Sequence, residues 1–140
     1  SEAELILDLL SAYPQLQACI SFSCSDQQHI AHGQTLAEAI SRVSESPQVI
    51  AAGINCLAPE WVTPLLESLD DPQVPIMVYP NSGEAWVASE HSWQGEKCGG
   101  FPVTEWYDRG ARLFVGFCRT KVQTISHMLK ELEQNSLNPS

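Results

Sequence analysis

Four short, largely apolar runs, each followed by a stretch with helical spacing, decide what this chain can fold into. They are Ala18-Cys19-Ile20-Ser21-Phe22-Ser23, Val49 to Cys56, Val74 to Tyr79 and Ala111 to Cys118. Their length suits buried strands. An amphipathic helix is expected first, over Glu2 to Leu10, with Ala3, Leu5, Ile6, Leu9 and Leu10 inward and Tyr13-Pro14 stopping it. A second begins at Thr35, where Glu38 occupies the reciprocal capping position and Leu36, Ala37, Ala39, Ile40 and Val43 face inward. Pro59 opens a third with Trp61, Val62, Leu65, Leu66 and Leu69, closed by Asp70-Asp71-Pro72. Val103, Trp106 and Tyr107 make a short fourth, with Gly110 as its left-handed cap. The last is capped by Thr120 and turns Val122, Ile125, Met128, Leu129 and Leu132 inward. Strand and helix in alternation imply a parallel sheet with right-handed crossovers, whose ligands sit beyond the carboxyl ends of the strands.

Composition narrows the function classes. A chain of 140 residues that is 44% hydrophobic builds one core, over residues 1–134, with a polar tail at 135–140. A formal net charge of −10, with 7 basic residues that form no stripe, argues against nucleic acid and anionic membranes. A small molecule or a protein partner fits better. No run approaches the roughly 18 apolar residues of a spanning helix, and Ser1-Glu2-Ala3-Glu4 has no signal-peptide character. The expected compartment is the cytoplasm. An odd count of five cysteines at irregular spacing argues against a disulfide framework and for reduced thiols.

Cys56 and Cys118 each close a strand, so both thiols are expected at the carboxyl rim, where two strand tips can meet over one metal ion. Between them lies a third strand ending, Val78-Tyr79-Pro80-Asn81-Ser82-Gly83-Glu84, followed by a long loop from Ala85 to Gly100. A loop of that length in a small domain is more often functional than decorative.

Gly53-Ile54-Asn55-Cys56, the Val78 to Glu84 stretch and Gly116-Phe117-Cys118-Arg119-Thr120, in that order and with those gaps, resemble the homocysteine S-methyltransferase family. Ile20-Ser21-Phe22 and Gly33 with the helix that follows are similar to the same pattern. The resemblance implies a (β/α)8 barrel with zinc at its C-terminal face. Such barrels run to about 250 residues, so the α/β unit here, a parallel (βα)4, corresponds to the second half of a TIM barrel.

The resemblance also implies a chemistry. Zinc would hold the thiol of homocysteine as thiolate, which displaces a methyl group from a sulfonium or quaternary ammonium donor to give methionine. Cys56 and Cys118 correspond to metal ligands. Asn81, Ser82, Gly83 and Glu84 correspond to substrate-binding positions, although Asn, Ser and Gly are also simply good turn formers. The family pattern has Gly-Gly-Cys-Cys-Arg where this chain has Val115-Gly116-Phe117-Cys118-Arg119, so Phe117 replaces one expected zinc cysteine. Zinc occupancy is in question for that reason. Substitute donors are Cys24, Cys98, His29, His32 and His91, with His127 the weakest. Two readings stay open: a zinc-dependent methyltransferase, or a catalytically inactive relative that binds a partner or a small thiol. Half a barrel would expose its inner face and two strand edges. Expected solutions are a homodimer, association with a missing N-terminal half, or a flattened open sheet.

Overall fold

A computed structural model of the chain describes residues 2–82, 85–87, 89, 90, 92–94, 100–116 and 120–137. Helix α1 (Glu2–Ala12) is followed by β1 (Ala18–Ser23), α2 (Leu36–Ser44), β2 (Val49–Asn55), α3 (Pro59–Glu67) and β3 (Ile76–Tyr79). Then come β4 (Ala85–Val87), β5 (Ser92–Gln94), α4 (Val103–Asp108), β6 (Ala111–Phe114) and α5 (Val122–Leu137). Four strands form one sheet in the order β1-β2-β3-β6, every neighbouring pair parallel. This is the (βα)4 unit expected, the second half of a (β/α)8 barrel.

Local chemistry explains the helices. Thr35 and Glu38 close the reciprocal cap of α2: the Glu38 N–H donates to the Thr35 hydroxyl at 3.2 Å and the Thr35 N–H donates to the Glu38 carboxylate at 3.1 Å. Pro59 starts α3, and Pro64 lies inside it, past the first turn, where its missing N–H costs the helix one i→i−4 hydrogen bond. Gly110, at φ 105, turns the chain from α4 into β6 as expected. The α1 terminus is held from a distance, because the Gln48 side-chain amide donates to the carbonyls of Leu10, Tyr13 and Leu16 at 2.9–3.0 Å.

The core lies on one face of the sheet. Ile20, Ala52, Ile54, Ile76 and Val78 pack there against Leu36, Ile40 and Val43 of α2, Val62, Leu65 and Leu66 of α3, and Val103 and Trp106 of α4. The opposite face carries Cys19, Ser21 and Ser23 of β1, Asn55 of β2, Met77 and Tyr79 of β3, and Leu113 and Val115 at the fourth strand. It is not buried: Leu113 is 41% and Val115 38% exposed.

Several expectations need correction. The inner face was expected to be exposed in half a barrel, and Leu113 and Val115 are exposed there, although Ala51 on the same face is buried. The inward stripes of α1 and α5 are wider than the surface available to them. Leu5, Ile6 and Leu9 of α1 and Val122, Ile125 and Leu129 of α5 are exposed, while Leu10 and Met128 are buried. The physical reason is the narrow contact each helix makes with the core, α1 through Ala3, Leu7 and Leu10 and α5 through Met128 and Leu132. Residues 85–100 were expected to form a loop without regular structure, but β4 and β5 pair there as an antiparallel hairpin, Trp86 opposite Trp93. Helix α5 continues to Leu137, into the stretch expected to be a polar tail.

Candidate functional site at the carboxyl rim

β2 ends at Asn55, and the next residue, Cys56, has φ 49. Left-handed backbone costs a side-chain-bearing residue about 1–2 kcal/mol, so surrounding contacts must hold it. Two backbone hydrogen bonds flank the position. The Cys56 N–H donates to the Tyr79 carbonyl at 3.2 Å, and the Asn81 N–H donates to the Leu57 carbonyl at 3.0 Å. The tips of β2 and β3 are thereby tied on either side of the cysteine. Its side chain is exposed, and Cys19 and Cys24 are outside any disulfide.

Below this tip, on the face away from the helices, four polar side chains from three strands are linked. The Ser23 hydroxyl donates to Asn55 Oδ1 at 2.8 Å, and Asn55 Nδ2 donates to the Ser21 hydroxyl at 2.9 Å. The Ser21 and Tyr79 hydroxyls are hydrogen-bonded to each other. Tyr79 stands on β3 and Ser21 on β1, so the tyrosine ring crosses over β2 to reach its partner. Register places Asn55 between Ser23 and Tyr79, and Gly53 between Ser21 and Met77. The backbones of β2 and β3 come so close at Gly53 that a Cβ there would lie 1.8 Å from the Met77 carbonyl oxygen.

The expected site residues separate as follows. Cys56, Asn81 and Ser82 lie together at the tips of β2 and β3, with Ser82 buried at 7% exposure and Asn81 half-buried. Gly83, Glu84 and Cys118 lie outside the described residues, as do Phe117 and Arg119. The Val115 N–H donates to the Val78 carbonyl at 3.0 Å, so the fourth strand accompanies β3 toward the same rim.

The substitute donors also differ among themselves. Cys24 packs against the core edge, and burial, reinforced by the nearby Asp26 charge, pushes its thiol up to about 11. That opposes the thiolate a metal requires. His29 Nδ1 is 2.9 Å from the Asp26 carboxylate. The same carboxylate accepts the Gln28 and His29 N–H groups at 2.7 and 2.8 Å, and these bonds hold its carboxyl below the usual range. His32 is exposed beside β1; His127 is exposed on α5, 3.9 Å from Glu131. Cys98 and His91 lie outside the described residues.

A catalytic zinc site takes three protein donors and keeps one position open. Among the described residues no group of three or more His, Cys, Asp or Glu side chains could hold a metal ion. Among the described residues Cys56 offers an accessible sulfur donor at the tip of β2. Sequence reasoning found Cys56 but gave no site role to Asn55, Ser21, Ser23 or Tyr79. A signal was available: at alternate positions of strands read as buried, serine and tyrosine demand partners.

A parallel (βα)4 sheet with a thiol-bearing, left-handed strand tip at its carboxyl rim defines half of a barrel of the TIM class. The family model for homocysteine S-methyltransferase matches residues 1–132. The chain belongs to that family. It is 39% identical over 132 residues to the homocysteine S-methyltransferase YbgG of Bacillus subtilis, covering 91% of this chain and 42% of the relative. Over 125 residues it is 41% identical to the homocysteine S-methyltransferase of Escherichia coli, covering 86% and 40% respectively. The metallated crystal form of the homocysteine methyltransferase MmuM from E. coli superposes with a TM-score of 0.74 at 34% identity, over 93% of this chain and 41% of that one. The chain thus spans about two-fifths of the length of the relatives it matches. Among the described residues no helix is long and apolar enough to cross a membrane.

Proposed function

We propose that residues 1–134 are the C-terminal half of a homocysteine-binding barrel, and that the complete protein transfers a methyl group from a sulfonium or ammonium donor to homocysteine, giving methionine. The observation that carries this reading is the Cys56 tip. It presents an accessible sulfur at the rim where barrel enzymes place their chemistry, in a backbone conformation that costs stability and is tied down on both sides. Cys56 and Cys118 are the proposed zinc ligands; bound zinc would supply the charge that keeps a substrate thiol deprotonated. Asn81, Ser82, Gly83 and Glu84 would line the substrate position beside it. The odd count of five cysteines at irregular spacing supports the cytoplasm as the compartment.

Phe117 favours a second reading, an inactive relative that keeps the scaffold, because phenylalanine offers no lone pair where the family pattern has a cysteine. Zinc stoichiometry separates the two. About one tightly bound zinc per site, abolished by Cys56→Ser and strengthened by Phe117→Cys, supports the enzyme. No zinc at saturating metal sinks it.

The uncovered face defines the proposed partner. Leu113 and Val115 are exposed, and an open cleft of about 230 Å³ runs beside β1, lined by Ile6, Ile20, Ser21, Phe22, His32 and Arg42. A first half-barrel, or a second copy of this chain, would pair with that edge and cover that face. A stable, well-folded monomer of the 140 residues in light scattering would refute both.

A further inference from the structure

Cys56 can serve a reaction only if its backbone is kept in the conformation seen. We propose that Tyr79, Asn55 and Ser21 are positioning residues for Cys56: a clamp across three strands that keeps residue 56 left-handed and its side chain fixed at the rim. The inference rests on the metal-site reading for its purpose but not for its geometry.

Tyr79 acts at two points. Its carbonyl receives the Cys56 N–H, and its hydroxyl bonds Ser21 on the far side of β2. Asn55, directly before the cysteine, is gripped at both ends of its carboxamide by Ser21 and Ser23 of β1. The residue that precedes the turn is therefore fixed in side chain, and the turn itself in backbone. The Ser21, Asn55 and Tyr79 side chains are half-buried, so each gains from a protein partner. Their convergence on one face, just below the strained residue, orders three side chains from three strands at a cost in side-chain entropy. Holding the left-handed turn is a use for that order beyond the satisfaction of the polar groups themselves. None of the three side chains need touch substrate or metal for this role.

The test is a coupling measurement in the full polypeptide. In the parent, Cys56→Gly should fold with an equilibrium constant about fivefold higher than Cys56→Ala, because glycine alone accepts this φ without strain. In the Tyr79→Phe and Asn55→Ala backgrounds that preference should shrink below about twofold, as residue 56 relaxes. Tyr79→Phe keeps the ring and so guards against simple misfolding. Zinc affinity is read in the same variant with Cys56 intact and should fall about tenfold. A glycine preference that persists in both backgrounds overturns the proposal, as does parental zinc affinity in Tyr79→Phe. If the parent binds no zinc while the glycine preference still collapses, the metal reading fails and the clamp stands.

Discussion

Gly53→Ala should be among the most damaging single-atom additions available in this chain. An alanine Cβ at this position would sit 1.8 Å from the Met77 carbonyl oxygen, 2.6 Å from its carbon and 2.9 Å from its Cα. Carbon and oxygen across a sheet approach to about 3.3 Å, so β2 and β3 would have to part by about 1.5 Å. All three obstructing atoms are backbone, so no rotamer change can relieve them. Parting the strands breaks the nearest ladder bonds, bounded by Ala52 N–H to Pro75 O at 3.1 Å and Cys56 N–H to Tyr79 O at 3.2 Å. Two or three bonds at about 1 kcal/mol each, added to an overpacking cost of about 1–3 kcal/mol, give a loss of about 4 kcal/mol. Against a typical domain stability of about 5–15 kcal/mol, that is a large share. Urea denaturation of parent and variant measures it directly, with Gly33→Ala as reference. Gly33 has φ 85 but open space around it, so its alanine should cost only the backbone strain, about 1–2 kcal/mol. A Gly53→Ala loss no larger than that of Gly33→Ala would refute the strand-separation reasoning. Zinc binding should fall with stability, because the same displacement carries Cys56 away from Tyr79 and Asn81.

Two further outcomes follow from the surroundings of particular side chains. With its thiol pushed up to about 11 from an ordinary 9.0, Cys24 should hold about a hundredfold less thiolate at pH 8 than an unshifted thiol, and iodoacetamide mapping should find it slowest of Cys19, Cys24 and Cys56. Since the folded state disfavours this thiolate, the stability it contributes is complete below pH 9.0 and lost as pH rises through about 11. Cys24→Ser should flatten that alkaline loss, and an unchanged pH–stability curve would contradict it. At Gly116, a Cβ would meet Ile125 Cδ1 at 2.7 Å and Thr120 Oγ1 at 2.8 Å, both side-chain atoms. Gly116→Ala should therefore cost only about 1 kcal/mol, and Ile125→Ala, at a largely exposed position, should recover most of it; equal loss in the double variant would sink this.

Element order and strand direction were legible because strand and helix periods differ and the caps are chemically explicit: Thr35 with Glu38, Pro59 and Gly110 all act where their chemistry demands. Burial was less legible. The apolar pattern of Leu5, Ile6 and Leu9, or of Val122, Ile125 and Leu129, encodes contacts of a complete barrel, and sequence periodicity does not say whether the covering layer is on the same stretch of chain. The hairpin was missed because three-residue strands leave too short a pattern to separate from a loop. At the site, Cys56 could be read from its strand-end position, but the left-handed turn could not, since cysteine carries no preference for it. Ser21 and Tyr79 join Asn55 only through register across three strands, which no local spacing reveals.

The face that carries the clamp is also the face that lacks a cover, and this links completion of the fold to function. Ser21, Asn55 and Tyr79 are half-buried, so solvent still competes for their hydrogen bonds and lowers what each is worth. If the proposed covering half buried Leu113 and Val115, the same bonds would lie in a medium of lower dielectric, where breaking them leaves unpaired polar groups. The clamp would then tighten without any change in its own residues, and the strain at Cys56 would be held more firmly. A sulfur donor competent for tight metal binding is thus expected to depend on the covering half even though that half need supply no ligand. Zinc affinity measured on the 140 residues alone should be lower than on the complete protein, and the difference should narrow in Tyr79→Phe, where there is no complete clamp left to tighten.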